Sequence, residues 1–120
     1  MTPQQKAENV ARLARVVMGW EYVEYWEQAE PLGRVLKSPG GIAFHWDPYT
    51  RITDAMDILV KIGHYDIRGR GDYTSVETWT ALDVYRGVSA GTGIQDLLDA
   101  ICAACLEWAR AGFLAAPVRL

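Results

Sequence analysis

The chain has 120 residues, of which 50% are hydrophobic and 22% are charged, and its formal net charge is -3 at pH 7. This length fits one domain, residues 1–120, with a single compact core. The composition is that of a globular protein and excludes a disordered chain. Nonspecific nucleic-acid binding requires many Lys and Arg contacts to phosphates, so the acidic balance argues against extended nucleic acid as a partner.

No targeting or membrane segment is recognisable in the sequence. The first five residues are polar and lack the apolar core of a secretory signal. The most apolar stretch, residues 100–106, is much shorter than the roughly 20 residues needed to cross a bilayer. Cys102 and Cys105 are too few for a secreted disulfide framework and fit a reducing cytosol. We therefore expect a cytoplasmic protein that contacts no membrane.

The first predicted helix covers about residues 3–18. Thr2 and Gln5 form a capping box, with Pro3 at the first helical position. Gly19 is a natural left-handed terminator. The apolar positions that recur at helical spacing and predict one buried face are Val10, Leu13, Ala14 and Val17.

The segment from residue 20 to residue 44 is aromatic-rich and variable in pattern. Residues 20–27 alternate in a way that fits a strand, although a short helical turn fits equally well. The apolar run at residues 34–37 is too short to assign. Residues 42–44 predict a brief strand, and Pro and Gly residues mark loops between these pieces.

The second predicted helix covers about residues 48–62. Asp47 has the right chemistry for its N-cap, and Pro48 is well suited to the first helical position. Gly63 terminates it. The buried stripe consists of Ile52, Ala55, Met56, Leu59 and Ile62.

A β-hairpin is predicted at about residues 64–86. Residues 64–68 form its first strand, and residues 69–72 form a turn. Residues 74–85, rich in β-branched and aromatic side chains, form the second strand. We expect residues 87–93 to be a flexible loop.

The third predicted helix covers about residues 93–111. Thr92 and Gln95 give a second capping box, and Gly112 closes the helix. Together these elements predict an α+β fold in which three helices pack on a small antiparallel β-sheet, as an α/β/α layered sandwich.

Several short motifs recur in an order that resembles a known family. They are Val17–Trp20 at the end of helix one, Trp46–Pro48 before helix two with Ala55, Met56 and Lys61 inside it, Ala100–Ala104 in helix three, and the strand around Trp79. In this order they resemble the Phage ABA sandwich domain family, small phage and prophage proteins of unknown function, over about residues 10–110. Pro48 is followed by Tyr49, where the family often has Ser. The resemblance implies a phage or prophage origin, the cytoplasm of a bacterial host and a layered α/β/α domain, and it implies no reaction.

No catalytic or metal-binding set stands out. Cys102 and Cys105 form a C-x-x-C motif within a predicted helix, but structural zinc needs four ligands and no second pair exists. We interpret both cysteines as small core residues. His45 and His64 flank the second helix at opposite ends, about 22 Å apart, and no Ser or Cys is placed beside either as a nucleophile. We therefore expect no enzyme, no cofactor and no metal.

Two acidic residues on the second helix could also suggest acid–base chemistry. Asp54 and Asp57 lie three positions apart, which places them on neighbouring parts of one helix face. Such a pair is usually the solvated side of an amphipathic helix, and we interpret it so.

Aromatic residues are the strongest indication of function. Seven of the thirteen fall between residues 20 and 49, more than one small core easily hides, so some should line a pocket or an interface. Basic residues among them form the mixture that stacks on a base and pairs with a phosphate. The predicted ligand-binding residues are Trp26, Arg34, His45, Trp46, Tyr49 and Arg51.

These residues predict a non-catalytic phage accessory protein that binds a small, nucleotide-like ligand. Sequestration of a host anti-phage defence signal would be a concrete form of this function. The alternative is a protein–protein interaction module, either a homo-oligomer or an inhibitor of a host protein.

Overall fold

A computed structural model of the chain describes residues 2–20, 25–27, 34–37, 43–44, 46–69, 71–80 and 82–115. It is an α+β structure with helices packed on antiparallel sheet, which confirms the expected fold class. The helices and strands in chain order are α1 (Pro3–Arg12), a π-helical turn (Leu13–Val17), β1 (Tyr25–Glu27), β2 (Arg34–Lys37), β3 (Ala43–Phe44), α2 (Ile52–Ile62), β4 (Tyr65–Gly69), β5 (Tyr73–Trp79), β6 (Val84–Ala90) and α3 (Ile94–Ala115).

The first helix begins with the predicted capping box. Thr2 Oγ1 accepts a hydrogen bond from the Gln5 N–H at 3.1 Å, and Gln5 Oε1 accepts one from the Thr2 N–H at 2.9 Å. After Arg12 the helix widens into the π-helical turn, in which the Met18 N–H donates to the Leu13 carbonyl, five residues back, at 3.1 Å. Gly19 then ends the helix at a φ of 74°.

The aromatic segment contributes a three-stranded antiparallel sheet with the order β1-β2-β3. Trp26 lies opposite Val35, and Leu36 lies opposite Phe44. The strand interpretation is therefore confirmed for Tyr25–Glu27 and for Ala43–Phe44. The run at residues 34–37, which the sequence left unassigned, is the central strand of this sheet.

Helix α2 starts one turn later than predicted, so the assignment of Asp47 as N-cap and of Pro48 as first residue is wrong. Asp47 Oδ1 accepts a hydrogen bond from the Tyr49 N–H at 3.0 Å, and residues 48–50 form a turn closed on the Asp47 carbonyl. Arg51 then has an extended backbone and precedes the helix as its N-cap residue. The predicted end is confirmed, because Gly63 has a φ of 87°.

The predicted hairpin is a three-stranded meander with the order β4-β5-β6. The single strand predicted at residues 74–85 is broken, because Thr80 Oγ1 accepts hydrogen bonds from the N–H groups of Leu82 and Asp83 and turns the chain there. The stretch expected to be a flexible loop is largely strand β6, which pairs with β5 through the register Val76–Gly87.

Gly87 allows α3 to lie directly on β6. A Cβ atom at this position would come within 2.6 Å of the Ala104 backbone nitrogen and 2.9 Å of the Ala103 Cβ. Gly and Ala are therefore needed on the two facing surfaces. Helix α3 continues through Gly112 to Ala115, so the predicted end at residue 111 is wrong.

The start of α3 also differs from the prediction. The Asp96 carboxylate accepts hydrogen bonds from the Gly93 N–H at 3.0 Å and from Ser89 Oγ at 2.9 Å. Asp96 therefore takes the role predicted for Gln95, with Gly93 in the place predicted for Thr92. The Gln95 side chain instead donates to the Tyr49 carbonyl at 2.9 Å.

Helix α3 connects the layers of the fold. One of its sides packs on β5 and β6, and the π-helical turn and α2 pack against it. The layer order in the described residues is therefore meander, α3, then the first two helices. This order differs from the expected α/β/α sandwich, in which the sheet lies between helices. No helix in this part of the chain is long and apolar enough to span a bilayer. The fully buried aliphatic residues at the centre include Val10, Leu13, Ile58, Leu59, Val76 and Ile101.

Candidate functional site

Three of the six predicted site residues meet at the turn before α2. We call this turn, together with the first residues of α2, the junction (residues 46–54). Its backbone is fixed by Asp47, whose carbonyl accepts hydrogen bonds from the N–H groups of Thr50 at 3.1 Å and Arg51 at 3.0 Å. The Asp47 N–H in turn donates to Asp54 Oδ2 at 2.9 Å. The first turn of α2 is thereby tied to the residues that precede it.

Four charged side chains surround the junction and largely neutralise one another. Lys6 Nζ lies 2.9 Å from Asp47 Oδ2, and both side chains are about one quarter exposed. Arg51 Nε lies 3.7 Å from Asp54 Oδ2. Asp54 is only 8% exposed, so the expectation that it belongs to the solvated face of α2 is wrong, whereas Asp57 is exposed as expected. Asp54 is buried because it accepts from a backbone N–H and faces a guanidinium.

Tyr49 is held from three directions. Its phenol oxygen accepts a hydrogen bond from Asn9 Nδ2 at 3.1 Å, its carbonyl accepts one from Gln95 Nε2 at 2.9 Å, and Lys6 Nζ lies 5.9 Å from the ring centroid. Burial, and after it the neighbouring Cys102, raises the pKa of the Tyr49 phenol above its ordinary range. Tyr49 is thus a neutral side chain that joins α1, the junction and α3.

Trp46 is packed into the core and stacks edge-on against Trp20. The ring centroids are 5.1 Å apart with an interplanar angle of 63°, a favourable geometry for two indoles. Trp46 is 3% exposed. Its Nε1 is buried without an acceptor in the described part of the chain. A buried donor of this kind costs free energy when it is left unpaired.

The six predicted site residues fall into two groups. Trp46, Tyr49 and Arg51 come together at the junction, with both rings buried and the Arg51 side chain mostly exposed. Trp26 and Arg34 lie on the paired strands β1 and β2, one register position apart, but their side chains lie outside what the structure describes. His45 also lies outside the described residues.

The sequence reasoning did not identify the partners of these residues. Lys6 and Asn9 come from α1, and Gln95 comes from the start of α3. The only available signal was the i, i+3 spacing of Lys6 and Asn9 on a capped helix, which placed them on one face without indicating what they meet.

The meander offers a second candidate surface, and its hydrogen-bond pattern defines which backbone groups point outward. The Trp79 N–H donates to the His64 carbonyl at 3.3 Å. Because bonding direction alternates along an antiparallel strand, residues 66 and 68 also pair with β5, and the backbone groups of Tyr65, Ile67 and Gly69 point away from it. No hydrogen bond to these outward groups is found within the described ranges.

The opposite edge of the meander is β6. The Thr80 N–H donates to the Asp83 carbonyl at 2.9 Å and the Gly91 N–H to the Asp72 carbonyl at 3.0 Å. The same alternation therefore directs residues 84, 86, 88 and 90 of β6 outward. Val84 and Val88 are exposed, on the side of the sheet that faces away from α3.

Exposed side chains on β4 divide between the two faces of the sheet. Tyr65 and Ile67 lie on the face of the sheet that α3 covers, because they pair with the buried Thr78 and Val76. They are nevertheless 36% and 38% exposed, since α3 lies over β5 and β6. Asp66 and Arg68 lie on the other face, with Arg68 Nε 2.7 Å from Asp66 Oδ2. This hydrogen-bonded carboxylate raises the pKa of the Arg68 guanidinium.

The thiols of Cys102 and Cys105 are free and lie in the core face of α3. Burial raises the pKa of Cys105 to about 12 and that of Cys102 well above its usual value, so both are held as neutral thiols. Among the residues that the structure describes, no group of three or more His, Cys, Asp and Glu side chains is arranged to hold a metal ion.

Comparison with family models, with curated proteins and with solved structures finds no match to this chain.

Proposed function

We propose that this chain is a non-catalytic protein–protein interaction module that binds another polypeptide through the exposed edge of its meander at β4. The single observation that carries the proposal is the combination, on one short strand, of outward backbone groups with the partly exposed Tyr65 and Ile67. A sheet edge of this kind recognises an extended strand through main-chain hydrogen bonds and selects it by alternate side chains.

The junction supports this choice over a ligand site. Trp46 and Tyr49 are buried, and their surroundings consist mainly of pairs that satisfy one another, such as Lys6 with Asp47. A ring that stacks on a ligand needs an accessible face. Tyr65 and Ile67 on β4, by contrast, are partly exposed.

Site-specific photocrosslinking in a bacterial host tests the proposal. A benzophenone amino acid replaces Tyr65 on β4 or, as a control, Val60, which is exposed on the outer side of α2. We expect a discrete protein adduct from position 65 and none from position 60. Equal adducts from the two positions, or none from position 65, would contradict the proposal.

A second candidate is the function expected from the sequence, a phage or prophage protein in the bacterial cytoplasm that sequesters a nucleotide-like signal. The observation that favours it is the Trp46 Nε1, a buried donor without an acceptor in the described residues, beside the ring of Trp20. A ligand acceptor that reached this position would satisfy the donor.

Native mass spectrometry of the protein purified from a bacterial host, followed by thermal shift with cyclic and ADP-ribose-type nucleotides, tests the second candidate. We expect one nucleotide to raise the melting temperature of the wild type and less so that of Trp46→Phe. A ligand recovered intact indicates sequestration, and a processed ligand indicates an enzyme. If no nucleotide in the panel raises the melting temperature, this candidate is rejected.

A further inference from the structure

We propose that the polypeptide bound by β4 is a second copy of this chain, so that two meanders form one continuous six-stranded sheet across a two-fold axis. The inference rests on the proposed function, because it names the partner of the same edge. It follows from the sequence of β4, Tyr65-Asp66-Ile67-Arg68-Gly69, which is complementary to itself when two copies run antiparallel.

The backbone pattern allows one register that uses every outward group. Ile67 of one copy lies opposite Ile67 of the other, and Tyr65 lies opposite Gly69, so that the outward N–H and C=O groups of these residues all find partners. At Gly69 no atom of the described residues, apart from the chain neighbours, lies within 4 Å of the position of an added Cβ, which leaves space for the ring of the opposite Tyr65. Aromatic side chains commonly cover a glycine across a strand pair.

The charged residues of β4 agree with the same register. Asp66 of one copy lies opposite Arg68 of the other, and the reverse holds across the axis. These are non-hydrogen-bonded positions, where side chains come closest, and opposite charges there stabilise the pair. A shift by two residues would place Asp66 opposite Asp66 or Arg68 opposite Arg68, so the charges select the register that the backbone also favours.

The other edge of the meander is less suited to a second copy. Helix α3 lies directly over β6, with its backbone against Gly87. Because α3 lies over β5 and β6, pairing two β6 strands would also bring two α3 helices side by side above the new strand pair, where they would have to pack against each other. On the β4 edge, α3 is displaced by the width of the sheet, and the α3 sides of two β4 strands can meet through Tyr65 and Ile67.

Charge reversal provides the test, with molar mass measured by light scattering and sedimentation over a dilution series of the purified full chain. We expect the wild type to form a dimer that dissociates on dilution, because the shared surface is small. Asp66→Arg places Arg opposite Arg, and Arg68→Asp places Asp opposite Asp. Each variant should weaken the dimer by about tenfold or more, because two favourable cross-strand pairs become repulsive.

Mixing the two single variants is the decisive measurement. On β4, both arginines of the Asp66→Arg chain then face the two aspartates of the Arg68→Asp chain. The mixture should therefore form a heterodimer with the affinity of the wild type. Restoration is also expected in the double variant D66R/R68D. The control is Val88→Lys on β6, which should leave the dimer unchanged. All three positions have exposed or half-exposed side chains, and circular dichroism checks that each variant remains folded.

Three results would overturn the inference: a wild type that stays monomeric at the highest concentration, single variants that dimerise like the wild type, or a mixture that stays monomeric. The last result would mean that Asp66 and Arg68 only protect the edge from association. A monomeric wild type together with a specific adduct to a different protein at position 65 would reject the second copy and retain the interaction module. A monomeric wild type with no adduct would reject both.

Discussion

The Asp54 carboxylate accepts a hydrogen bond at 2.9 Å from the backbone N–H of Asp47, seven residues earlier. This bond closes the junction on the first turn of α2. It also explains how a carboxylate can be 8% exposed at the start of a helix. The N-terminal turn favours a negative side chain, and the Asp47 N–H and Arg51 satisfy it.

Replacing Asp54 with Ala should therefore destabilise the fold by about 1–3 kcal/mol, because the Asp47 N–H loses its acceptor in a partly buried place. Asp57→Ala, on the exposed side of the same helix, should change the free energy of unfolding by less than about 0.5 kcal/mol. Urea denaturation of the two variants measures the difference. Equal effects would show that the hydrogen bond contributes nothing.

Replacing Gly87 with Ala should destabilise the protein by about 1–3 kcal/mol or more, because the added methyl group meets the helix backbone of α3 rather than a movable side chain. Gly69→Ala is the matched control on another strand of the meander, because no atom of the described residues beyond its chain neighbours lies within 4 Å of the new methyl group. Its expected effect on the melting temperature is small. If Gly87→Ala melts like the wild type, α3 does not lie against β6 as closely as described.

The buried thiols predict a loss of stability at alkaline pH. Burial raises the pKa of Cys105 from an ordinary value of 9.0 to about 12, so the unfolded chain releases this proton first. The stability that the neutral thiol contributes is fully present below pH 9 and is lost as the pH rises from 9 to 12. At pH 10 the free energy of unfolding should have fallen by about 1.4 kcal/mol on this account.

Urea denaturation at pH 8 and pH 10 measures this contribution. Cys105→Ala should lose less stability between the two pH values than the wild type does, whatever its stability at pH 8. Identical pH dependence in the two proteins would mean that the Cys105 thiol is no more buried than an ordinary one.

The Trp46 indole permits a separate prediction. Trp46→Phe removes the Nε1 donor that has no acceptor in the described residues and keeps an aromatic ring beside Trp20. We expect it to cost about 1 kcal/mol or less, whereas Trp46→Ala should cost about 3–5 kcal/mol through loss of buried surface. Calorimetry decides. A Phe variant as unstable as the Ala variant would show that the indole N–H has a stabilising partner.

Sequence reasoning was most successful where the determining interactions are local. The capping box of Thr2 and Gln5 and the terminating glycines at 19 and 63 involve residues at most six apart, and all are found. Thr80 also acts locally, but its hydroxyl turn lies within a stretch whose β-branched composition favours one continuous strand. Composition alone did not reveal the break.

The candidate site was less predictable because its partners are distant in sequence. Tyr49 binds Asn9 and Gln95, each about 40 or more residues away, and no local pattern indicates such pairs. Aromatic density at residues 20–49 was taken as a sign of an accessible surface. Trp46 and Tyr49 are instead buried, because the junction folds inward between α1 and α3.

The π-helical turn at Leu13–Val17 gives the first helix one place that tolerates a change in chain length. A turn of this type holds one residue more than an α-helical turn. Deleting one residue there should restore a regular α-helical turn and keep Trp20 against Trp46, whereas deleting one residue from the preceding α-helix should rotate everything beyond it by about 100°. The extra residue is therefore not needed to align the first helix with the indole pair.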